Sequence, residues 1–175
     1  MAGPGIAIKV DGDVAGVQRM LYAVDTALNP VAVAGFLGAI IDPYFRRRAG
    51  DRFAKEGDDV TGPWTPLAES TQNIREQMGY GPAHPINRRE GDLERYITQT
   101  EGRSTPEPWG ASLTLPGAEA QGELESKLSV AQKGGVGISG KPIPARPVLG
   151  MNEQDLVFVL TALANHVEKV GGGVI

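Results

Sequence analysis

Gly62-Pro63-Trp64-Thr65-Pro66-Leu67 runs into Ser70-Thr71 just after a basic helix end, Phe45-Arg46-Arg47-Arg48. A second phrase of the same kind, Ile143-Pro144-Ala145-Arg146-Pro147-Val148-Leu149-Gly150, stands just before the last amphipathic segment. Each joins prolines to one large side chain, Trp64 or Arg146. Proline fixes φ and removes a backbone donor, so neither phrase reads as a helix interior or a central strand. Stiff segments with an anchoring side chain shape a surface; they do not assemble a reaction centre.

Working outward towards the N-terminus, Asn29-Pro30 is a helix cap followed by a proline where its missing N–H costs nothing. The spacing of Val33, Phe36 or Leu37, Ile40, Tyr44 and Phe45 predicts a helix from there to about Lys55, kinked or split at Pro43. Before it, Val17, Leu21, Val24 and Leu28 make one apolar helical stripe capped by Asp13, and Ile6 to Val10 alternates as a short strand.

Outward towards the C-terminus, Leu67 to Met78 has helical character, and Asn87 to Thr98 forms a short helix on Leu93 and Ile97. Gly102 to Gly110 is expected to be a mobile loop, Ala111 to Leu115 a strand, and Leu124 to Val130 a strand because Leu128 and Val130 alternate. Asn152 caps the final helix, with Asp155 in its first turn; Leu156, Val159, Leu160, Leu163, Val167 and Val170 form its stripe, which is expected to pack into the core. The fold class is therefore α+β. One domain spans 1–175, with a short N-terminal arm (1–12) and a flexible C-terminal tail (171–175). A small antiparallel sheet is packed with N-terminal helices and a C-terminal helix, joined by long Gly/Pro-rich loops.

The bulk numbers agree. Gly 24 and Pro 13 in 175 residues predict much irregular backbone, and aromatics at 6% predict a modest core. A net charge of −4 argues against a protein that grips nucleic acid through phosphate contacts, though not against one that surrounds DNA. Cysteine is absent, so packing alone must hold the fold. No apolar run approaches the roughly 18 residues of a membrane span, and the first residues lack the pattern of a signal peptide.

Gly135-Val136-Gly137-Ile138-Ser139-Gly140-Lys141 matches G-x-G-x-x-G and the first seven places of a phosphate-binding loop. Both motifs need a helix to begin at once, and Pro142, Pro144 and Pro147 forbid one. His84 and His166 are the only histidines, and neither shares a helix face with a second metal-ligating residue apart from the loosely placed Glu168. No glycine-flanked serine elbow is present. Asp58-Asp59 and the Glu123/Glu125 pair read as solvated carboxylates. The readings thus imply no catalytic set, no cofactor and no metal.

Arg46, Arg47 and Arg48 cover most of a helix circumference, which suits either a solvated face or carboxylates across an interface. Tryptophan and arginine are the residues most enriched at interface anchors. Interface or interface-shaping roles therefore fall to Arg46, Arg47, Arg48, Trp64, Pro66, Arg146 and Leu149.

These residues also carry a likeness. Arg52-Phe53, then Gly62-x-Trp64-x-Pro66-Leu67 and Thr71, resembles the phage virion-morphogenesis family, which includes the tail-completion proteins of Mu-like and P2-like phages. Gly91-Asp92-Leu93, Ala131-Gln132-Lys133-Gly134 and Arg146-Pro147-Val148-Leu149-Gly150 continue the series in order. Ala68-Glu69 departs from it, since the family has serine first. The resemblance implies an α+β, non-enzymatic virion protein that forms a closed ring, commonly a hexamer, at the head-proximal end of the tail or in the neck. Its partners would be its own copies, the major tail tube protein and the head–tail connector or stopper proteins. DNA would pass through without specific binding, no membrane would be involved, and the chain would reside in the host cytoplasm before assembly. Two other readings remain: a connector-side neck or head–tail adaptor protein, and a small nucleotide-binding enzyme using the Gly135–Lys141 loop.

Overall fold

A computed structural model describes residues 14–81, 85–87, 90–108, 110–115, 121–137 and 140–170. The expected Ile6–Val10 strand, the 1–12 arm, the 171–175 tail, His84 and Trp109 lie outside the described residues.

The described residues begin with two helices, α1 (Val14–Leu28) and α2 (Pro30–Phe36). They meet at Asn29, whose side chain accepts the Ala32 N–H at 2.9 Å, and the axis bends by 64° there. The helix then continues through a π-turn (Leu37–Ile41) into α3 (Asp42–Lys55). The predicted disturbance at Pro43 takes the form of this turn. The Asp42 N–H reaches back five residues to Leu37 O. The widened turn makes room for the pyrrolidine ring, which would otherwise press on the carbonyl four residues before it.

Glu56, left-handed at φ 53°, ends α3 and starts a tight hairpin of β1 (Gly57–Asp58) and β2 (Gly62–Pro63). Helices α4 (Glu69–Gln77) and α5 (Asp92–Gln99) follow. The predicted Gly102–Gly110 loop is instead β3 (Arg103–Glu107), paired antiparallel with the expected strand β4 (Gly110–Thr114). Pro106 is tolerated because a two-stranded ribbon has only edge strands. The predicted strand at Leu124–Val130 is a helix, α6 (Glu123–Lys133). Leu128 and Ala131 are its buried positions, while Val130 is left 37% exposed, so the alternation was misleading. A third hairpin, β5 (Gly135–Val136) with β6 (Pro142–Ile143), leads to α7 (Glu153–Val170). The chain is α+β, but the strands among its described residues form three separate two-stranded antiparallel ribbons rather than one sheet.

The core gathers around the second half of the long helix. Ala49 and Phe53 of α3 pack with Trp64, Ile86, Leu93 and Ile97 of α5, Leu128 and Ala131 of α6, and Val148. Phe53 and Trp64 meet edge to face, 5.8 Å between centroids. The first half of that helix carries a second layer: α2 packs on the β3–β4 ribbon, and α1 packs on α7. This layer is thinly covered. Leu21, Tyr22, Val31, Val157 and Leu160 are all more than half exposed. The stripe of α7 was expected in the core, yet the fully buried residue of that helix is Asp155.

Candidate functional site

The two proline-braced phrases, 80 residues apart in sequence, close on each other. Trp64 donates its indole N–H to Pro147 O at 3.1 Å. In return Arg146 donates Nε to Thr65 O at 2.7 Å and Nη2 to Pro66 O at 3.1 Å. Trp64 and Arg146 are 5% and 6% exposed, so both act inside the chain and hold backbone rather than reaching outwards.

The segment 146–150 lies in no helix and no strand and bends at Val148, so its carbonyls need donors from elsewhere. Side chains supply all five. Asn87 Nδ2 donates to Arg146 O, Trp64 to Pro147 O, Arg52 Nη1 to Val148 O, Gln132 Nε2 to Leu149 O, and Arg52 Nη2 to Gly150 O. Gln132 completes the pattern from α6, since its Oε1 accepts the N–H groups of Val148 at 2.7 Å and Leu149 at 3.1 Å. Arg52, 1% exposed on α3, is charge-paired through Nε with Asp58. Asp58 is itself fixed by the N–H groups of Val60 and Thr61, both at 2.9 Å.

Local sequence explains each position. Arg52 follows the buried Ala49 by three residues on α3, so the helix turns its guanidinium to the same inward side. The left-handed Glu56 turns the chain so that the Trp64 N–H meets Glu56 O at 2.7 Å. Ala131 O, near the end of α6, accepts the Arg146 N–H at 2.7 Å.

The arginine triplet divides. Arg46 Nε pairs with the buried Asp42 at 2.8 Å, and Asp42 also accepts the Gly102 N–H. Arg48 Nε lies 2.9 Å from Asp155 Oδ1, an ion pair by distance rather than an aligned hydrogen bond. Arg47 is exposed, its guanidinium 5.7 Å from the Tyr44 ring. Of the other expected interface residues, Pro66 is exposed and Leu149 is half-buried against the core. Arg52, Asp58, Asn87 and Gln132 were missing from that expectation. Arg52 and Gln132 stood within the quoted phrases, and only their pairing with a distant carbonyl was invisible.

Asp155 fastens α7 to this region. It exchanges hydrogen bonds with the cap residue Asn152 in a reciprocal box, 2.8 and 2.9 Å, and accepts the Tyr44 hydroxyl. Tyr44 stacks on Phe158 at 3.8 Å. Burial alone would raise the Asp155 carboxyl, but the hydrogen bonds from Tyr44 and the Asn152 N–H and the charge of Arg48 outweigh it and hold it below the usual carboxylate range.

The Gly135–Lys141 loop closes the β5–β6 hairpin, with Gly140 N donating to Gly137 O at 2.8 Å. Lys141 is exposed and leads into β6, and the next helix begins only at Glu153. The helix N-terminus that a phosphate loop requires is not adjacent. Among the described residues no group of three or more histidine or acidic side chains is placed to hold a metal ion. No family model, curated protein or solved structure matches the chain.

Proposed function

We propose that this protein is a structural subunit of a bacteriophage neck or tail-completion ring, joining the tail tube to the head–tail connector without enzymatic activity. The observation that carries the reading is the clasp. Its tryptophan, arginines and glutamine direct their donors at the chain's own backbone, leaving Pro63, Thr65, Pro66, Pro144 and Ala145 as an outward edge of fixed shape. A closed ring needs such an edge, because a heterologous contact must repeat at a constant rotation. The apolar side chains left open on α1, α2 and α7 supply a second face that copies or tail partners can cover.

Light scattering behind size exclusion, with negative-stain microscopy, tests the proposal on purified protein alone and mixed with tail-tube or connector proteins. Uniform rings are expected. Leu160→Asp, at a site 57% exposed, is expected to abolish them while leaving Tm nearly unchanged, as surface substitutions usually alter stability by less than about 0.5 kcal/mol. A lone monomer in every mixture would overturn the reading.

A further inference from the structure

Beside the clasp lies a cavity of ≈ 470 Å³, between α4, α5, α6 and β6. That volume is within the roughly 300–1,000 Å³ typical of ligand sites. Leu93, Val130 and Ile143 give it aliphatic walls, and Arg75 and Arg146 bring two guanidinium groups to it. Arg146 is 94% buried by its 6% exposure, and its Nε and Nη2 hold the carbonyls of residues 65 and 66. Its Nη1 has no hydrogen-bond partner among the described residues and is not sealed from solvent. No described carboxylate makes an ion pair with it. Burial lowers the Arg146 pKa from its ordinary value, and the charge of Arg75 lowers it further against a contrary pull from Glu56.

We propose that this cavity is a binding site for a single carboxylate carried on an aliphatic body, received by Arg146 Nη1 beside Arg75. An anion here gives the desolvated guanidinium of Arg146 a counter-charge, while Arg75, whose Nη1 donates to Pro85 O at 3.1 Å, adds its charge nearby. Glu90 and Asp92 also line the cavity, both within ion-pair reach of Lys127, and they favour a ligand of one negative charge over one of two. A phosphate would bring a second charge towards those carboxylates and would leave the aliphatic walls uncovered. A glutamate or aspartate of an adjoining polypeptide offers the required chemistry, and so does a free aliphatic acid. The site does not depend on ring formation.

Isothermal titration calorimetry of the full chain with hexanoate tests the site whatever the oligomeric state. Saturable binding of one hexanoate per chain is expected, with 1-hexanol weaker by about tenfold or more, as loss of a charge-assisted hydrogen bond implies, and inorganic phosphate weaker because it leaves the aliphatic walls uncovered. Arg75→Gln is expected to weaken hexanoate by about tenfold. Val130→Asp, at a half-open wall position that leaves the core intact, should remove binding by placing a carboxylate next to the cavity. A capped Ala-Leu-Glu-Leu-Ala peptide binding more tightly than hexanoate, with its glutamine analogue silent, identifies a polypeptide as the source. The reverse order identifies a free acid. Absence of saturable hexanoate binding, or equal binding of 1-hexanol, would overturn the proposal.

Discussion

At Gln132 one side chain does the work of a neighbouring strand. Its amide accepts from Val148 and Leu149 and donates to Leu149, and no other residue type offers both functions in that shape. Gln132→Glu keeps the size and the two acceptor contacts but turns an oxygen towards Leu149 O. Leaving a buried acceptor unpaired costs about 1–3 kcal/mol, so urea melts should show a loss of that order. An unchanged midpoint would mean that the glutamine is incidental. Trp64 and Arg146 were legible as important residues because large side chains among prolines stand out. Their partners were not legible, because the acceptors are backbone carbonyls and every residue has one.

Among the elements, Gly57 is the tightest point. Its φ of +126° is a conformation that side chains rarely adopt, and an added Cβ would lie 2.1 Å from Gly62 O. Gly57→Ala should therefore open the β1–β2 turn and cost about 3 kcal/mol or more, measured as a fall in denaturation midpoint. Asp58 would lose its hold on Arg52 in the same step. The long helix with its proline and the capped final helix could be read from spacing and caps, which are local. The identity of α6 could not, because Leu128 and Val130 alternate as a strand does while Leu124, Leu128 and Ala131 also fit a helix face. The exposure of α7 could not be read either. An apolar stripe states that something covers it, not whether the cover belongs to the same chain.

For the molecule as a whole, acid is the informative stress. Asp58 and Asp155 are held below their ordinary range: burial pushes each up, and hydrogen bonds from Thr61 and Arg52, or from Tyr44 and Asn152, pull each further down. Asp92 is lowered first by Lys127. A depressed carboxylate stabilises the fold above its unfolded pKa, about 3.9, and that stability is lost as pH falls through the folded value. Tm should thus be flat near neutrality and drop steeply below about pH 4. Asp155→Asn should lower the plateau and shallow the drop, and an identical slope would show that the α7 anchor does not titrate with unfolding. The segment 146–150 carries one more consequence. A stretch of backbone without a ladder, once uncovered, ordinarily invites foreign strands to add on. Here every carbonyl from Arg146 to Gly150 is already taken by a side chain of the same chain, so the segment denies that template to its neighbours.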